Sequence, residues 1–111
     1  MNSIFTRRSI RHYTNEPISA HSIQQIIKAA MHAPSAYNQQ PWEFIVITDS
    51  NLLSHIATQS AHAYMVKNAP VAILLCINND FAKHKDYAIQ DCSAATQNML
   101  IEIQALGLGG V

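Results

Sequence analysis

The chain has 111 residues, one domain's worth of sequence, and its seven Lys and Arg balance seven Asp and Glu, so it carries no net charge with His neutral. That balance excludes the broadly basic surface that nucleic-acid binding requires, and no apolar run reaches the ~18 residues of a membrane span. Hydrophobic residues make up 49% of the chain, enough for a core at a size where about two thirds of the unfolded surface is buried.

Residues 3–8 read as a short helix capped by Ser3, and the stretch through Tyr13 and Pro17 as extended chain. Ser19 caps a helix whose apolar stripe is Ile23, Ile26, Ile27, Ala30 and Met31. Pro34 closes it. A loop of small and amide residues runs from Pro34 to Pro41, and residues 42–48 come next as a strand rich in β-prone side chains. Asp49 and Ser50 cap a helix carrying Leu52, Leu53, Ile56 and Ala57. Residues 61–68 fit no single pattern. Residues 71–77 are apolar throughout, which predicts a strand buried on both faces. A long helix from about Asp86 to Leu106 ends at Gly107, apolar on more than one face, so it is expected at the centre of a core and at a subunit contact. Two or three strands make a thin sheet for so many apolar residues. The chain therefore reads as a single domain, residues 1–111, truncated at its C-terminus or completed by another chain.

Two segments carry chemistry. Arg7-Arg8-Ser9-Ile10-Arg11 holds three of the seven basic residues in five positions. In an extended chain Arg7, Ser9 and Arg11 share a side, with the outer two roughly 13 Å apart at ~3.3 Å per residue. In a helix Arg7 and Arg11 lie one turn apart. Both arrangements suit an anion, since guanidinium forks bind phosphate bidentately and a hydroxyl adds a further bond. A solvated basic turn or a basic-directed phosphorylation motif are the alternatives for this run alone. One helix later stands Pro34-Ser35-Ala36-Tyr37-Asn38-Gln39-Gln40-Pro41-Trp42. Cys76 and Cys92 match no redox spacing and read as reduced core residues. The six histidines form no ligand pair at metal-binding spacing. Residues 1–6 lack the apolar segment of a secretory signal, so a cytoplasmic location is expected.

Taken with Asn68-Ala69-Pro70-Val71, Gln97-Asn98-Met99-Leu100 and Leu106-Gly107-Leu108-Gly109, these two motifs resemble the FMN-dependent nitroreductase family in order and spacing, over nearly the whole chain. The resemblance implies an α+β fold, a three-layer α/β/α arrangement around a mostly antiparallel central sheet that is incomplete in this chain. It implies an intertwined homodimer with FMN at the interface. Arg7, Arg8 and Ser9 would hold the phosphate and ribityl end, and Arg11 the pyrimidine side, where a cation stabilises negative charge on reduced flavin. Pro34, Ser35, Ala36, Asn38 and Gln40 would reach the cofactor from the other subunit, with self-capping of a Pro-bounded turn as the alternative for Asn38 and Gln40. Lys67 would be a second cation near the flavin. Tyr37 and Trp42 would be core or substrate-facing aromatics, Trp42 being the better core candidate. The implied activity is ping-pong reduction of a small-molecule oxidant, such as a nitroaromatic or quinone, by NADH or NADPH. Other branches of the family (dehalogenation, azoline or oxygen chemistry) and a non-catalytic flavin-binding dimer are the alternatives. The family chain continues past the Gly-rich segment with a further strand, a basic residue for the phosphate and an extension that wraps its partner.

Overall fold

The computed structural model describes residues 2–111. Four helices and two strands occur in the order α1 (Ser3–Thr6), α2 (Ala20–Met31), β1 (Trp42–Ile47), α3 (Ser50–Ala57), β2 (Ala72–Ile77) and α4 (Ala88–Ala105), with short 3-10 turns at Ala36–Asn38, Tyr64–Asn68 and Lys85–Tyr87. Among the described residues no helix is long and apolar enough to cross a membrane.

The caps explain most boundaries. Ser19 and Asp49 each accept a backbone N–H of the helix they start, from Ser22 and Leu52. At α1 the cap is Asn2, not Ser3, because the Asn2 side chain accepts from the Ile4 amide. That helix stops at Thr6 rather than Arg8, so the arginine run leaves it as extended chain. At the other end of the molecule α4 closes on Gly107 at φ 74°, a conformation that favours glycine. The Gly107 and Leu108 amides donate back to the Gln104 and Ile103 carbonyls, satisfying the last turn.

The strands pair antiparallel with Trp42 opposite Ile77, Phe44 opposite Leu75 and Val46 opposite Ile73. Alternation then places Trp42, Phe44, Ile73 and Leu75 on one face, against Ile26, Ala30 and Ala33 from α2 and its exit and Ala95 and Met99 of α4. Trp42 is only 7% exposed at the middle of this cluster. The Asn98 side-chain amide donates to the Ala29 carbonyl at 3.0 Å, stitching α4 to α2 beneath it. On the other face Ile47 is buried; Leu53 of α3 and Met65 of the 3-10 turn that packs on α3 are buried too.

β2 is not buried on both faces as its composition led one to expect. Leu74 is 49% exposed, with Ile45 opposite it also exposed. A two-stranded sheet has only one helix pair to cover it, and the register turns these two residues away from α2 and α4. An open apolar groove of about 740 Å³ runs between residues 10–18, β2 and the C-terminal end of α4.

Replacing Trp42 by Ala is expected to cost about 3–5 kcal/mol, the usual cost of emptying a large aromatic site. Urea titration of the two proteins measures it; a loss under ~1 kcal/mol would place the core elsewhere.

Candidate functional site

The loop between α2 and β1 holds the positive-φ residues other than glycine among those described. Tyr37, Asn38 and Gln40 all have positive φ, at 54°, 53° and 49°. Asn tolerates that region, but for Tyr and Gln it costs on the order of 1 kcal/mol each. Gln40 also precedes Pro41, which disfavours compact backbone further.

What holds this shape is Asp91 on the first turn of α4. It is 5% exposed and is the buried charged residue among those described. One carboxylate oxygen accepts the Ala36 amide at 2.9 Å, and the other accepts the Gln39 side-chain amide at 2.7 Å. Gln39 in turn clamps His84: its nitrogen donates to the His84 carbonyl at 3.1 Å and its oxygen accepts the His84 amide at 2.9 Å. Inside the loop the Ser35 hydroxyl accepts the Gln40 amide at 3.1 Å, while the Ser35 and Ala36 carbonyls accept from Asn38 and Gln39. Among the described residues no buried side-chain nitrogen or oxygen lacks a partner. Asp91 is thus a finished anchor for the loop.

Sequence reasoning missed Asp91, Gln39 and His84. A signal for Asp91 was present: it lies at helical spacing between Ala88 and Ala95, inside the buried stripe. Self-capping at Gln40 is found, but on its backbone amide. Asn38 stands exposed.

The arginine run is extended and docks on the other end of α4. Ser9 bridges Gly110 in parallel, and the Ile10 amide donates to the Gly110 carbonyl at 2.9 Å. Gly109 permits this approach, since a Cβ there would stand 2.8 Å from the Ile10 side chain. Arg7 is half-buried, and Arg8, Ser9 and Arg11 are exposed. The Arg8 guanidinium donates to the Phe5 and Arg7 carbonyls at 3.2 and 2.8 Å, spending one nitrogen on the open end of α1. The Tyr13 hydroxyl donates to the Ile10 carbonyl at 2.6 Å. Burial pushes the Tyr13 phenol up, and the nearby Arg11 guanidinium partly offsets this. Lys67 is exposed in its own 3-10 turn.

Within one chain the two segments do not meet. The loop is tied to Asp91 and the arginine run to Gly110, which packs on Ile103. Asp91 and Ile103 are about 18 Å apart along α4 at ~1.5 Å per residue.

Both cysteines are free. The Cys92 thiol is pushed up by burial and by the neighbouring Asp91 and Cys76, which disfavours the thiolate a redox or nucleophilic role requires.

A sequence profile of the Nitroreductase family matches residues 4–63. The chain belongs to the nitroreductase family. Among curated nitroreductase relatives, a protein of Archaeoglobus fulgidus, provisionally named NADH dehydrogenase/NAD(P)H nitroreductase, is 46% identical across 97% of this chain and 63% of its own length. A Clostridium acetobutylicum structure, provisionally an NADH oxidase, superposes with a TM-score of 0.94 at 41% identity, covering 96% of this chain and 64% of that one. A Desulfovibrio desulfuricans structure, provisionally a nitroreductase and solved in complex with FMN, has a TM-score of 0.90 at 36% identity, covering 96% of this chain and 63% of that one. The chain thus spans a little under two thirds of the length of these relatives. The expected α+β nitroreductase fold is borne out.

Replacing Asp91 by Ala removes both acceptors and is expected to destabilise the protein by about 2–4 kcal/mol. Hydrogen exchange is the sharper readout: the Ala36 amide is expected to exchange at least about tenfold faster, with amides of β1 changing less. A uniform change across both segments would show that Asp91 supports the fold generally and not the loop.

Proposed function

We propose that this chain is the flavin-binding part of an NAD(P)H-dependent oxidoreductase that carries FMN at a site built from two copies of the chain. The observation that carries the proposal is the separation of the two motifs. Each has the chemistry for one end of a flavin nucleotide, yet they sit at opposite ends of α4. A second copy in antiparallel arrangement brings the arginine run of one protomer to the loop of the other, the simplest closed symmetry for a self-complementary surface.

The residues fit that cofactor. Arg7, Ser9 and Arg11 alternate along an extended chain, so their donors line one side, suited to a phosphate and the ribityl chain attached to it. Arg8 retains nitrogens beyond the one bound to α1 carbonyls. In the loop, Pro34 and Asn38 are exposed, and Ser35 and Ala36 lie half-exposed on a backbone held rigid by Asp91. Gln40 is exposed beside them. A loop fixed before binding loses less entropy when it meets a ligand.

FMN would supply the two-electron relay between NAD(P)H and a small-molecule acceptor such as a nitroaromatic or quinone. The protein's share is to bind and orient it. Arg7, Arg8 and Ser9 hold the phosphate end, and Arg11 lends positive charge to the ring system where reduction places negative charge. The relatives' names, which include NADH dehydrogenase, NAD(P)H nitroreductase and an FMN complex, support this reading.

The purified protein is expected to take up FMN, show flavin absorbance and bleach on addition of NADPH. The Arg11→Ala variant is expected to lose about tenfold or more in FMN affinity or in the rate of bleaching, the scale of a lost charge-assisted contact. A preparation that takes up no FMN overturns the assignment. Unchanged binding and rate in the variant overturn the role given to Arg11.

A further inference from the structure

Tyr37 lies between Ala36 and Asn38, two residues assigned above to the flavin, yet its ring turns outward and is 78% exposed. It is not loose. One face stacks on the His84 imidazole, with ring centroids 3.8 Å apart and planes inclined by 18°. Both members are fixed by backbone. Tyr37 is held between the Ala36 amide bound to Asp91 and the Asn38 amide bound to the Ser35 carbonyl. His84 is held by the two Gln39 bonds. The stack borders a cleft of about 310 Å³ whose lining includes Asn38, Phe81 and Lys83, with Phe81 half-exposed. Exposing a large aromatic on a left-handed backbone is unfavourable twice over, in hydration and in conformation. The Asp91 anchor holds the backbone in that shape, and the His84 stack covers one face of the ring.

We propose that the Tyr37–His84 stack is the platform on which this protein receives the planar aromatic part of its electron acceptor. The proposal deepens the flavin reading and rests on it for the acceptor's role. An electron-rich phenol ring with one face covered and the other free offers offset stacking to a flat, electron-poor ring such as a nitroarene or quinone. Phe81 adds apolar wall, while Asp80 and Lys83 line the cleft with opposite charges, so the aromatic face and not net charge decides what is held. Stacking selects for planarity and aromaticity and leaves the rest of the molecule unread, so a range of flat acceptors is admitted.

Two measurements test it. The first needs no flavin: the His84 ring proton resonances are followed while flavin-free protein is titrated with 4-nitrobenzoate, and separately with cyclohexanecarboxylate, a non-planar anion of equal charge. Nitrobenzoate is expected to shift these resonances and cyclohexanecarboxylate to leave them in place. In Tyr37→Ala the nitrobenzoate affinity is expected to fall by about tenfold, the scale of a stacked aromatic pair, while Tyr37→Phe retains it. Equal shifts from both anions, or none from either, overturn the platform whether or not the protein binds FMN. The second uses the FMN-loaded protein and compares turnover with 4-nitrobenzoate against turnover with ferricyanide, which has no ring to stack. In Tyr37→Ala the ratio is expected to fall by about tenfold. An unchanged ratio overturns the acceptor role. Nitrobenzoate shifts in a protein that takes up no FMN would overturn the flavin reading and uphold the aromatic platform.

Discussion

The buried carboxylate of Asp91 sets the geometry on which the candidate site depends. A charge without solvent is tolerated only when its oxygens are fully engaged, and Asp91 reaches that state by binding the Ala36 amide and the Gln39 side chain. Meeting that requirement fixes the loop. Ala36 is drawn to the first turn of α4, Gln39 is turned inward to clamp His84, and the residues between are forced into left-handed backbone with Tyr37 and Asn38 facing out. The carboxylate's own need for partners thereby offsets the strain that keeps those side chains presented.

α4 is the ruler of the molecule. Its first turn holds the loop, its middle fills the core against Trp42, and its glycine-closed end receives the arginine run through Gly110. Because one rigid helix carries all three, the distance between the two polar segments is set by helix length and resists adjustment. The proposed flavin site, which uses both, would take one segment from each of two copies. Ile45 and Leu74 are left uncovered on β1 and β2.

Much of this was legible in the residues. Periodicity placed α2, α3 and α4 to within two residues, because their stripes and caps are local signals, and the β-prone runs placed both strands. The order of the motifs was enough to point to the family. Burial on both faces of β2 was misjudged, since composition reports what a strand tolerates and not how many layers cover it. α1 was overextended because Arg7 and Arg8 are good helix formers, whereas pairing with Gly110 draws the run into extended chain. The Asp91 anchor was hidden for another reason. Its partners lie more than fifty residues away in sequence, and no local pattern reports a contact between a loop amide and a distant helix. Gln39 and Gln40 look alike in sequence; only the fold shows that one turns inward and the other stays exposed.

In the proposed function the arginine run and the Pro34–Pro41 loop act together only across two copies of the chain. Subunit mixing tests it most directly. One variant carries Arg7→Ala and Arg11→Ala, a second carries Asn38→Ala, and each alone is deficient in FMN binding. If the site is shared, mixing and re-equilibrating the two restores about a quarter of the wild-type FMN capacity, since random pairing into symmetric dimers leaves one intact site in each mixed dimer. If mixing restores nothing while each variant still dimerises, each chain builds its own site and the account is wrong.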